Sequence, residues 1–176
     1  MIDNDTDALR LAITSLSDRV AALEGARNTQ TEAVAATGDA LWALAGLRER
    51  LAEHPSTAKG AVMIVGSVTT PTGAPVEWQQ GAGTEGLFEV DWSERAAGFA
   101  ALAHPVRLEL LRHVMSGTTT TSGLAAIESL GTTGQLHHHL RQLLATGWLK
   151  QSGRGSYEVP AARAVPLLAC LVAVER

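Results

Sequence analysis

Cys170 is the single cysteine among 176 residues. That excludes an intramolecular disulfide framework and a thiolate zinc cluster, and it fits a reducing, cytoplasmic setting. No apolar run approaches the roughly 18 residues that a membrane-spanning helix requires, so no membrane partner is expected. The opening stretch MIDNDTDALR is acidic where a secretion signal would be basic. Internal repeats and low-complexity tracts are absent. The glycines of GAGTEG (81–86) are not followed by Lys-Ser/Thr, and no helix start is evident there, so they do not form a phosphate loop. Neither a nucleophile elbow nor a His-Glu-x-x-His pair occurs, and no enzyme is expected.

What remains is a globular chain, 45% hydrophobic and 18% charged, long enough for one or two small domains. Its net charge of −4 conceals a division. From Met1 to Trp92 there are 6 Lys/Arg against 13 Asp/Glu, a balance of −7. From Ser93 to Arg176 there are 8 against 5, a balance of +3, together with five of the six histidines. An acidic partner for the C-terminal half follows from that asymmetry.

Leu9, Ile13, Leu16, Val20 and Leu23 recur at spacings of 4, 3, 4 and 3, a heptad seam suited to pairing with a second copy. A second helix is predicted over 29–55, with Thr29 and Glu32 at capping-box spacing and Pro55 as its stop. Val62, Ile64, Val65, Val68 and Thr69, then PTGAP, then Val76 to Gln79, predict a β-hairpin, with a third strand near Leu87 to Val90. The expected segments are 1–56 (helical, coiled-coil-like), 57–91 (β-hairpin) and 92–176 (DNA-binding domain).

From Asp91 onward the pattern is helical. DWSERAAGFAALA, HPVRLELLRHVMSG and TTTSGLAAIESLG precede TTGQLHHHLRQLLATGW, a strand-like WLKQSGRGSYEVP and an apolar AVPLLACLVAVE. A short helix, a glycine-containing turn, a second helix and a hairpin with a Gly-Arg-Gly tip make a winged helix-turn-helix layout. The predicted fold class is mainly α with small β: a winged helix-turn-helix domain preceded by a helical and β-hairpin extension. Ser93 to Glu175 resembles the ArsR-type winged helix transcriptional regulators. LAHPVRLELLRHV is similar to that family's Leu-x-x-Pro-x-Arg stretch leading into Leu-x-x-Leu-Leu. TTGQLHHHLRQLLATGWL is similar to its recognition helix, with His-Leu-x-x-Leu and then Gly before the wing. The first 91 residues resemble no family pattern.

The residues agree with that resemblance independently. At 100° per residue, Leu136, Leu140, Leu143 and Leu144 form one stripe, and His138 lies nearly opposite it. Arg141 and Gln142 flank His138; Arg and Gln match guanine and adenine edges, and His donates to bases or phosphates. Gly134 leaves room for close backbone approach. The expected DNA contacts are Thr132, Thr133, Gly134, Gln135, His137, His138 and Arg141, with Lys150 and Arg154 from the wing. His139 borders the leucine stripe and is read as a packing histidine. The triple-histidine run is not a metal site, because consecutive helical side chains fan apart and the i+4 partners are Arg141, Gln142 and Leu143. The resemblance points to two metal-sensing places, a Cys-x-Cys before the recognition helix and His/Asp/Glu on the last helix. Here they read TSGLAAIESL and VPLLACLVAVE, so no metal or other cofactor is expected.

The seam at Leu9, Ile13, Leu16, Val20 and Leu23 and the apolar residues Leu167, Leu168 and Leu171 are the expected interface of a homodimer, which would bind a pseudo-palindromic duplex operator as a repressor. A winged helix used as a protein-interaction adaptor, without DNA, is the alternative. An unidentified small-molecule effector between hairpin and winged helix is the remaining expected partner, with Trp78 and Trp92 as pocket walls.

Overall fold

A computed structural model describes residues 19, 41–51, 53 and 57–175. The expected seam from Leu9 to Leu23 and the Thr29/Glu32 cap lie outside those residues. The chain divides into two compact units, Met1–Pro55 and Ser56–Arg176. In the first, helix α1 spans Trp42–Leu51 within the predicted second helix. No helix among the described residues is long and apolar enough to cross a membrane.

The second unit is mainly α with two small antiparallel hairpins. Strands β1 (Ala61–Thr69) and β2 (Pro75–Gly83) pair without interruption from Ala61↔Gly83 to Thr69↔Pro75. The reversal between them uses Gly73 at φ +85°, with Thr70 N donating to Ala74 O. β-branched residues at alternate positions give the hairpin one sheltered face, Ile64, Val68 and Val76, because side chains alternate along a strand. The third strand expected near Leu87 to Val90 is instead helix α2 (Thr84–Glu89). Its first turn carries Glu85, favourable at a helix N-terminus. Thr84 Oγ1 donates to Lys59 O and Gly60 O at 2.9 and 3.1 Å, anchoring that start. The helix start that GAGTEG was read as lacking is therefore present.

Asp91 caps a 3-10 turn (Trp92–Arg95) by accepting from Ser93 N at 2.8 Å, and α3 (Ala96–Leu102) follows. Helix α4 (Pro105–Met115) starts with proline, whose missing N–H costs nothing in the first turn, and His104 Nδ1 accepts from Val106 N. The TTTSGLAAIESLG segment divides into α5 (Thr121–Ala125) and a 3-10 turn (Glu128–Leu130) that stops at Gly131. Helix α6 (Thr133–Ala145), strands β3 (Lys150–Gly153) and β4 (Ser156–Glu158), and α7 (Ala161–Ala173) complete the unit.

With seven aromatic residues in the chain, the core is mainly aliphatic. The largest side chains below 2% exposure are all leucines: 110, 111, 124, 130, 136, 140, 143 and 149. Trp148, Tyr157 and Leu167 join them, and no charged or purely polar residue among the described ones is buried. Each buried leucine contributes about 1.5–3 kcal/mol of transfer free energy, so this cluster holds α3 to α7 and the second hairpin together. The first hairpin joins the same unit by packing both strands on α7. At Gly66 a Cβ would lie 2.6 Å from Val165 Cγ1, so only glycine permits this approach of strand to helix. The hairpin segment 57–91 thus shares a compact unit with 92–176.

Candidate functional site

Helix α6 is anchored from one side only. Leu136, Leu140 and Leu143 are fully buried, as the 3.6-residue period requires. Thr133, Gly134, His137, His138, Arg141 and Gln142 are exposed. No acidic residue occurs on the helix. Among the described residues the Arg141 side chain makes one hydrogen bond, a 3.4 Å donation from Nε to His137 O, and its terminal nitrogens have no hydrogen-bond or ion-pair partner.

The start of α6 is closed by a reciprocal cap. Gln135 N donates to Thr132 Oγ1, and Thr132 N donates to Gln135 Oε1 at 2.9 Å. Thr132 and Gln135, expected among the DNA contacts, therefore turn their side chains to the helix's own backbone. Gly131, at φ +82°, makes this possible: a Cβ there would lie 2.6 Å from Gln135 Oε1. Beside Gly134 the space is empty: a Cβ at that position would have no neighbour within 4 Å.

The β3–β4 hairpin is tied back to α5. Thr121 N and Oγ1 both donate to Gly155 O, at 2.8 and 3.0 Å, and Tyr157 N donates to Thr119 O at 2.8 Å. These bonds hold Arg154 at an exposed tip, where it has no hydrogen-bond or ion-pair partner among the described residues. Lys150 pairs across the strands with Glu158 at 2.6 Å. From Thr132 to Glu158 the chain holds Arg141, Lys150 and Arg154 against Glu158 alone. The surface of α6 and this hairpin offers hydrogen-bond donors and positive charge, suited to an anionic partner.

The histidine run divides as its helical position dictates. His137 and His138 face solvent, while His139 is partly buried against His104, with ring centroids 4.6 Å apart. His139 Nδ1 is buried without a hydrogen-bond partner among the described residues. Burial first, then His104, Arg107 and His138, hold its pKa below the ordinary histidine value. No group of three His, Cys, Asp or Glu among the described residues is placed to hold a metal ion. Arg107 and Arg112 serve structure: Arg107 donates to Ala100 O and Ala101 O, and Arg112 pairs with Glu109 at 2.7 Å.

The expected interface on the last helix is corrected in part. Leu167 is 3% exposed and belongs to this chain's own core, because it lies on the face of α7 turned to that core. Leu168 is half-buried, and Leu171, Val172 and Val174 are exposed, Leu171 at 44%. Sequence reading missed the cation–π contact of Arg163, 5.0 Å over the Trp148 ring, whose Nε1 donates to Gly98 O. It also missed that Phe88, beside Trp92 with ring centroids 5.9 Å apart, and Phe99 are exposed. No protein-family model, no curated protein and no solved structure matches this chain.

Proposed function

We propose that the chain is a transcriptional regulator that binds double-stranded DNA through a winged helix-turn-helix of ArsR-like type. In this reading α5 and α6 form the helix-turn-helix, α6 enters the major groove, and β3–β4 is the wing. The observation that carries it is the outward side of α6: hydrogen-bonding side chains and one cation, Arg141, with no acid, on a helix locked by three buried leucines and a closed cap. Arg141 takes guanine O6 and N7 in a bidentate contact, while Arg154 reaches a phosphate or the minor groove. The regulator acts as a homodimer in the cytoplasm, on a pseudo-palindromic operator with half-sites about one turn, roughly 34 Å, apart, and represses by occupancy.

Titration of Arg141→Ala and Arg154→Ala against operator and scrambled duplexes at several salt concentrations tests this. Arg141→Ala should lose about 1–3 kcal/mol of discrimination. Arg154→Ala should weaken both duplexes alike and reduce the salt slope by about one unit. An unchanged specificity ratio in Arg141→Ala would refute the assignment of this face. A second reading, a protein-interaction adaptor, is favoured by the exposed rings of Phe88, Trp92 and Phe99, at 75%, 64% and 67%. Failure of the parent chain to bind any duplex at low salt would select it.

A further inference from the structure

We propose that a cavity between the β1–β2 turn, α4 and α7 binds a neutral aliphatic molecule. Its volume is about 420 Å³, within the range of small-ligand sites. At roughly 30 Å³ per water-sized group, it has space for about fourteen of them, which sets the ligand at about ten to fourteen heavy atoms. Three separate elements build it: Val68 and Pro71 from the hairpin, Leu108 and Met115 from α4, Leu168 and Leu171 from α7. Neither Trp78 nor Trp92 forms part of its walls, contrary to the expectation for a pocket between these parts.

The lining chooses the chemistry. Its apolar side chains are aliphatic or thioether, with no aromatic ring, so a planar heterocycle finds no stacking surface. A flexible or alicyclic hydrocarbon matches branched leucines and an adaptable methionine. The charges at the cavity are already paired: Arg112 Nε and Nη2 donate to Glu109 Oε2 at 3.1 and 2.7 Å. A carboxylate head would meet Glu109 as well as Arg112, and an ammonium the reverse, so neither sign is favoured. Thr70 Oγ1 is engaged by Ala74. Ser116, an exposed residue of the lining, has a hydroxyl whose chemistry suits an alcohol or carbonyl group. This inference stands apart from the reading of α6.

The test is a titration of the full chain, carbon-13 labelled at Leu, Val and Met methyls, with 1-decanol followed by NMR. Expected are saturable one-to-one shifts of Met115, Leu168 and Leu171, with decanoate at least about tenfold weaker, since burying its charge is unfavourable. Leu168→Trp, which fills the space, should abolish the shifts of Met115 and Leu171 while the methyls of Leu136 and Leu140 keep their positions. Leu171→Arg, at an exposed position that tolerates the change, serves as the second block if Leu168→Trp does not fold. Shifts that never saturate, that spread over the whole surface, or that decanoate matches would overturn the proposal. So would pocket resonances that move with protein concentration and ignore decanol, an outcome that assigns this face to a second copy of the chain.

Discussion

At position 134 a methyl group would meet nothing, which separates folding from function with one atom. Alanine is the better helix former by up to about 1 kcal/mol, so Gly134→Ala should raise the melting temperature. Under the proposed reading the same methyl stands where the helix start approaches the duplex, so affinity should fall several-fold. A variant that gains stability and keeps full affinity would place the duplex elsewhere. His139 makes the second prediction at this scale. Its pKa in the folded chain is lowered, so the unfolded chain binds the extra proton first. The stability contributed by the neutral ring is fully present above about pH 6.5. It declines as pH falls below that value, and the decline levels off below the depressed folded pKa. Thermal unfolding between pH 8 and 5 should show this slope, and His139→Gln should flatten it. Equal slopes in the two proteins would remove His139 as its source. That His139 packs was legible from its place beside the leucine stripe. Its contact with His104 was not, since 35 positions separate them and nothing in either local pattern announces the other.

Helix α6 owes its fixed start to two residues that sequence reading assigned outward. Thr132→Ala removes the side-chain acceptor for Gln135 N and should cost about 1 kcal/mol, typical for losing an N-cap. Gly131→Ala should cost more, because it adds a strained positive φ and a clash with the Gln135 side chain. Denaturant unfolding measures both; equal, near-zero losses would mean the cap contributes nothing. The leucine stripe of α6 was readable because thirteen residues span more than three turns of a 3.6-residue period. Helix α2 was not. Six residues are too few to show a period, Gly83 supplies no side-chain cap, and Leu87 and Phe88 stand together as readily in a strand as in a helix.

For the molecule as a whole, the proposed dimer predicts a sedimentation coefficient that falls on dilution, and a weaker association when residues 1–28 are removed. A full-length chain that stays monomeric at micromolar concentration would refute it. The general plan, mainly α with a hairpin before the basic half, was legible because periodicities of two and 3.6 are local. The seating of that hairpin on α7 was not, being settled by one missing side chain at Gly66 opposite Val165. These two residues lie 99 positions apart. A hairpin can close within about 1–10 μs, but this one cannot be covered until α7 exists. At about 5–20 residues per second of synthesis, the sheltered face of Ile64, Val68 and Val76 waits bare for roughly 5–20 s on each nascent chain. Slow translation of the intervening segment would therefore lengthen the period in which a chaperone, or another nascent chain, can reach that face.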